Sequence, residues 1–196
     1  MTKFKKYNFI GSLNIFLSYT LTKLFYSNSR LIRYPYDFRN THLINFGINL
    51  TTGKYCRFEA HNDGDIRLEI GHNVQINDSV HIVCGKKVII ENNVLIASKV
   101  FISDTSHGSY GNNDIHDNPL IPPNNRLLHY KDVKICSNVW IGEYVSILPG
   151  VTLGEGCIIG SMSVVTSSIP PYTIAVGAPA KPIKKFNFNN HKWEKI

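Results

Sequence analysis

Among the eight histidines of this 196-residue sequence, His107 has the surroundings that suit chemistry. It stands at the start of a polar insertion, about residues 105–131, which begins TSHGSYGNNDIHDNP and is rich in Gly, Pro and Asn. A connection of that length exceeds an ordinary turn and is a candidate functional loop. Imidazole exchanges a proton near neutral pH, so a histidine at the root of such a loop suits acid–base work. The plain alternative is a solvated loop residue. Asp104, three residues earlier, could orient that imidazole or face an acceptor, although a corner Asp more often bonds its own backbone. Toward the other end of the chain, Lys181, Lys184 and Lys185 suit phosphate groups, or else make an exposed basic tail.

The formal charge of +7 and the isoelectric point near 9.2 favour a polyanionic partner. Nucleic acid, an anionic membrane surface and a phosphorylated small molecule all meet that description, and charge alone does not choose among them. The four cysteines, Cys56, Cys84, Cys136 and Cys157, form no CxxC pair and have no histidine at zinc-ligand spacing. Reduced thiols in a cytoplasmic protein, with no metal site, are the expectation.

Near the N-terminus, Lys3, Lys5 and Lys6 precede FIGSLNIFLSYTLTKLF. Asn14, Ser18, Thr20, Thr22 and Lys23 interrupt the apolar run, so it reads neither as a signal peptide nor as a membrane span. Ile10, Leu13, Leu17, Leu21 and Leu24 share one helical face, which predicts an amphipathic helix docked on the protein or touching a membrane surface.

What must hold His107 in place is written in a period of six. Positions 135, 141, 147, 153, 159 and 165 read Ile, Ile, Ile, Leu, Ile, Val, and Val139, Val145, Val151, Cys157, Ser163 and Ile169 follow each by four. Neither a helix nor a simple strand repeats at six. A triangular solenoid does: each unit is a short strand plus a corner, and three units close one coil. Gly142, Gly154 and Gly160 follow the aliphatic residue directly, where a sharp corner predicts positive φ. The pattern recurs at Ile70, Ile76 and Ile82, at Ile90, Ile96 and Ile102, and weakly at Phe46, Thr52 and Phe58. That grouping predicts an all-β solenoid of about five triangular coils. Residues 1–43 form the helix and lead-in, 44–169 the parallel β-helix with its 105–131 loop, and 170–196 a cap and basic tail. Each break in the period falls after the third unit of a coil, so all insertions leave along one vertical corner, with His107 there. Pro170 and Pro171 stop the repeat, and the tail containing Trp193 is expected to cap the open end.

The stretch VWIGEYVSILPGVTLGEGCIIGSMSVV, the ending VGAPAKPIKKF and the histidine in FISDTSHG resemble the hexapeptide-repeat acyltransferases. More narrowly, the chain is similar to sugar O-acetyltransferases of lipopolysaccharide and capsule biosynthesis, and more distantly to galactoside and maltose O-acetyltransferases. The likeness is strongest over about residues 44–186. It implies a left-handed coil, a homotrimer, and acetyl-coenzyme A bound in the groove between adjacent prisms. It also implies direct transfer, with a histidine taking the proton of an acceptor hydroxyl. His107 matches that catalytic histidine and Asn77 an asparagine near the reacting groups, although an Asn also suits a corner in left-handed conformation. Asp78 and His81, close to Asn77, are candidate acceptor contacts with Asp104. Trp140, Ser161, Thr166 and Lys181 match cofactor positions, and Lys184 joins them for the phosphates. Glu143 and Ser167 depart from the galactoside enzymes, which have Ser and Lys there, and the residue two before His107 is Thr105 where many close relatives have His.

The expected activity is therefore O-acetylation of a surface-polysaccharide sugar or its lipid-linked precursor, in the cytoplasm or at the inner face of the cytoplasmic membrane. N-acetylation of an amino sugar or xenobiotic is the enzymatic alternative, since an amine also needs a base. A non-catalytic or carbonic-anhydrase-like β-helix is the third reading, and the GAPAK ending argues against it. Nucleic acid has no motif beyond net charge.

Overall fold

The structure, a computed structural model, describes residues 8–61, 65, 67–112 and 115–196. Short strands recur because each six-residue unit lays down one extended pair before the chain must turn. They stack into three parallel sheets that form the faces of a prism. Face A holds Leu31–Ile32, Thr51–Thr52, Gln75–Ile76, Leu95–Ile96, Trp140–Ile141, Ile158–Ile159 and Thr173–Gly177. Face B holds Asp37–Arg39, Arg57–Ala60, His81–Cys84, Phe101–Ser103, Ser146–Ile147 and Val164–Val165. Face C holds Ile44–Asn45, Leu68–Ile70, Val88–Ile90, Val133–Ile135 and Thr152–Leu153, with Ile169 bridging to Leu153.

The solenoid has about seven turns, not the expected five. The added turn at the start comes from LIRYPYDFR, residues 31–39, where Tyr and Pro mask the aliphatic period. Thr173–Gly177 adds the last layer of face A, beyond the prolines that end the sequence repeat.

The inward residues are the ones the period selects. Ile76, Ile96, Ile141 and Ile159 stack on face A, Phe58, Ile82, Ile102 and Ile147 on face B, and Ile70, Ile90, Ile135 and Leu153 on face C, all buried. The second set, from Val139 to Ile169, is buried with them. Cys56, Cys84 and Cys157 belong to this core, and burial pushes their thiols up to about 11, 12 and 12.

The corners correct one expectation. Gly142, Gly154 and Gly160 are not at positive φ; that conformation falls two residues later, at Tyr144, Gly156 and Met162. The glycines are needed for closeness instead. A Cβ on Gly142 would lie 2.6 Å from the Ser161 backbone nitrogen, and one on Gly154 would lie 2.3 Å from that of Pro171. At the C–A corner the left-handed place is taken by Asn49, Asn73, Asn93 and Asn138, a residue type that tolerates it. Their side chains also bond from coil to coil, at 3.2 Å for Asn49 to Asn73 and for Asn73 to Asn93.

Both ends of face A are covered. The helix Phe9–Phe25 lies over its first strand, and Ala180–Asn187 and Lys192–Lys195 extend its last strand as an antiparallel hairpin. The tail thus covers the edge of one sheet, with Phe186 against Trp193 and Phe188.

Gly154→Ala tests the closeness requirement. Forcing a methyl group into backbone at that corner should cost about 1–3 kcal/mol of unfolding free energy. Urea denaturation measures it, and an unchanged midpoint would show that the corner has room.

Candidate active site

All insertions do leave at the B–C corner, after Ala60, Cys84 and Ser103, and the longest is itself folded. Thr105–His107 pairs antiparallel with Leu128–Tyr130, placing His107 opposite Leu128. Beyond it, Tyr110–Asn112 pairs with Ile115–His116, and Pro123–Asn125 makes one 3-10 turn.

The His107 ring is exposed, and its Nδ1 lies 3.3 Å from the Pro123 carbonyl oxygen. A carbonyl only accepts, so in the neutral ring Nδ1 carries the proton and Nε2 keeps its lone pair. That is the tautomer a general base needs. The turn that presents Pro123 is tied down by Arg126, whose backbone N–H donates to the same carbonyl at 3.2 Å. The Arg126 guanidinium donates to the carbonyls of Ile121 at 2.9 Å and Pro119 at 3.2 Å, and to the Tyr110 hydroxyl at 2.7 Å. That hydroxyl in turn donates to the His107 carbonyl at 2.6 Å. One side chain thus links both sides of the loop to the histidine it must aim. Neither Tyr110 nor Arg126 carries a sequence signal, because the loop has no period.

Asp104 is a correction. Its side chain is buried, and its carboxylate accepts from the backbone N–H groups of Gly85, Lys86 and Lys87 at 2.7, 2.7 and 2.8 Å. The Thr105 hydroxyl adds a bond of 2.7 Å. With its oxygens committed there, Asp104 neither orients His107 nor faces an acceptor. It pins the root of the loop to the turn of the preceding coil, so the backbone it bonds is not its own neighbourhood.

Asn77 stands at the A–B corner, half-buried, and it is not left-handed; Ser79 holds that conformation, at φ 58°. Its corner explanation therefore falls away. Asp78 is exposed, and its carboxylate accepts from Lys54 N–H at 2.6 Å. His81 lies on the outer side of face B, with Nε2 2.8 Å from a Glu59 oxygen and its ring against Phe101. Glu59 was not among the expected residues. It is buried yet ionised, 2.5 Å from Arg57 Nε and 3.2 Å from Arg39 Nη1. Burial works against its charge, but the bonds from His81 and Arg57 outweigh that and hold its carboxyl below the ordinary range. The period does contain this cluster, since Arg57 and His81 are register partners one turn apart.

The expected cofactor residues divide between two corners. Trp140, half-exposed on face A, and exposed Ser161 border the A–B corner above Asn77. Lys181 joins them through the C-terminal hairpin, opposite Val176, whose side chain fills the space above Gly160. Lys184 lies farther along that hairpin, opposite Ile174 and Lys195. Exposed Thr166 stands at the B–C corner, on the side of His107. Face B separates the two groups, and four extended residues of it span about 13 Å. At the A–B corner Lys99 and Tyr144, both left-handed, also stack, with the ammonium 4.7 Å from the ring centre.

Residues 132–167 match the family described as Bacterial transferase hexapeptide (six repeats). The chain is 44% identical over 191 residues to WbbJ of Escherichia coli (strain K12), which carries the name of a lipopolysaccharide biosynthesis O-acetyl transferase; the match covers 97% of this chain and 96% of that one. It is 38% identical to the galactoside O-acetyltransferase of the same strain over 61% of this chain and 55% of that protein. Its fold is similar to that of the S84C mutant of AntD, an N-acyltransferase from Bacillus cereus crystallised with dTDP-4-amino-4,6-dideoxyglucose and coenzyme A. There the TM-score is 0.65 at 26% identity, over 81% of this chain and 80% of that one.

Arg126→Met tests how the loop is held. Amide exchange at Gly108 should rise roughly tenfold or more as the loop bonds are lost, with thermal melting of the coils little changed. Unchanged exchange would mean that the antiparallel pairing alone fixes the histidine.

Proposed function

Because the chain belongs to the bacterial hexapeptide-repeat transferases, we propose that it transfers an acetyl group from acetyl-coenzyme A to a hydroxyl of a surface-polysaccharide sugar or its lipid-linked precursor. The observation that carries this reading is the His107 ring, exposed at the root of the folded loop with its Nδ1 proton committed to Pro123 and Nε2 open. Nε2 accepts the proton of the acceptor hydroxyl as its oxygen attacks the thioester carbonyl. The tetrahedral intermediate then collapses, the C–S bond breaks, and the imidazolium returns the proton to the leaving thiolate. Ester and free thiol are the products, and no covalent enzyme intermediate is needed.

The active unit in this reading is a homotrimer. Support comes from the division of candidate residues between the A–B and B–C corners. A cyclic trimer sets the A–B corner of one chain against the B–C corner of the next and repeats that groove three times. Asn77 then meets His107 of a neighbouring copy. Trp140, Ser161, Thr166 and Lys181 line the cofactor groove, with Lys184 toward the phosphates. Asp78 and the open edge of His81 are left for the acceptor. The reaction belongs in the cytoplasm, where acetyl-coenzyme A is available and thiols stay reduced. The likeness to AntD favours one second reading, an amino-sugar acceptor, for which the same base serves.

Thiol release from acetyl-coenzyme A across paired hydroxy and amino sugars tests both. The expected product is an ester cleaved by hydroxylamine; a hydroxylamine-stable amide would move the assignment to the second reading. His107→Ala should lower kcat by roughly 10²–10⁴ while coenzyme A affinity and melting persist. Activity within about threefold of wild type would end the general-base assignment.

A further inference from the structure

The helix Phe9–Phe25 does not dock through the apolar face that a helix packed on the protein would bury; of that face only Leu21 is half-buried. Its buried residues are Ser18 and Thr22, whereas Phe9, Ile10, Leu13, Phe16, Leu17 and Leu24 are exposed, at 84, 68, 57, 68, 44 and 70%. The physical reason lies in the strand beneath. Leu31–Ile32 is the first strand of face A, and its backbone groups have no preceding coil to bond. Thr22 Oγ1 accepts from Ile32 N–H at 2.8 Å, and Ser18 Oγ accepts from Tyr34 N–H at 3.0 Å. Each hydroxyl donates in turn to a helix carbonyl one turn back, Thr22 to Ser18 at 2.6 Å and Ser18 to Asn14 at 2.7 Å. Rotating the helix to bury its apolar stripe would break both of these bonds and leave the buried Ile32 N–H without its partner.

We propose that this outward apolar stripe is a docking face for an anionic bilayer surface. Charge selects that occupant. The first 36 residues carry Lys3, Lys5, Lys6, Lys23, Arg30 and Arg33 and not one Asp or Glu. A second copy of the same face would set cation against cation, whereas anionic headgroups neutralise them while the acyl boundary receives the stripe. Exposed Tyr19 and Tyr34, at 51 and 50%, suit the headgroup level, being apolar rings with a polar tip. Among the described residues no helix is long and apolar enough to cross a membrane, so the helix would lie in the interface plane. Attachment of this kind is reversible and weakens with salt. The inference is independent of which sugar is modified or which residue is the base.

Flotation of the full chain with vesicles tests it. The expected result is binding to phosphatidylcholine vesicles containing about 30% phosphatidylglycerol, little binding to phosphatidylcholine alone, and roughly tenfold weaker binding at about 0.3 M salt than at 0.05 M. The double variant Leu13→Glu, Leu17→Glu changes exposed positions only, so it should keep the melting temperature and oligomer size of wild type while losing roughly tenfold or more in vesicle affinity. Wild-type protein that stays unbound at low salt would overturn the proposal, as would a double variant that floats equally well. A double variant with unchanged flotation but a smaller assembly in sedimentation would identify the stripe as a contact between copies instead.

Discussion

Backbone bonding between successive coils is the constraint from which the rest of the molecule follows. Along one corner, Asn77 N–H donates to Ile96, Ala97 to Ile141, Gly142 to Ile159 and Gly160 to Ala175, all at 2.8–2.9 Å. A stack bonded this closely leaves almost no freedom at the turns, so a glycine stands where the next coil presses on it. The insertions leave this stack at a single corner, between faces B and C. The same constraint leaves an open edge at each end, and the two ends are met differently. Hydroxyls of a helix serve the first strand, and two antiparallel strands continue the last. The exposed apolar stripe near the N-terminus is a by-product of that polar docking.

The coils were legible in the sequence wherever aliphatic residues mark them, because an inward place in a dry stack admits little else. Ile141, Ile147 and Leu153 declare themselves for that reason. Ile32 and Phe38 keep the six-residue spacing, in register with Thr52 and Phe58, but the Tyr34, Tyr36 and Phe38 cluster around them hides the aliphatic signature. The insertion corner, and His107 on it, could be read from the breaks in the period. What could not be read is what a side chain bonds to once the chain has left the repeat. Asp104, a candidate for chemistry, is structural, while Arg126 and Tyr110, which carry no sequence signal, hold the loop. For the helix, only the expectation of an apolar docked face fails, since nothing in the pattern of apolar residues reveals that the first strand offers N–H groups for Ser18 and Thr22 to bond.

Most candidate groups sit at or beside corners, with His81 on the outer side of face B. Asn77, Trp140, Ser161 and Lys181 belong to one corner and His107 and Thr166 to another, with face B between them. A single prism brings neither set to the other. The proposed trimer would join them by setting two prisms side by side, so the proposed reaction needs more than one copy. The buried Glu59, held by Arg57 and His81 on the intervening face, would then lie within the groove and help fix its outer wall.

The central claim is that each reaction centre takes His107 from one copy and Asn77 from the next. Mixing His107→Ala chains with Asn77→Ala chains in equal amounts, after unfolding and joint refolding, tests it directly. Each variant alone should be nearly inactive. Every mixed trimer would hold one groove with both residues intact, so random assembly should restore about one quarter of wild-type activity. A mixture no more active than the mean of the two separate variants would place both residues in a site built by one chain and contradict the account.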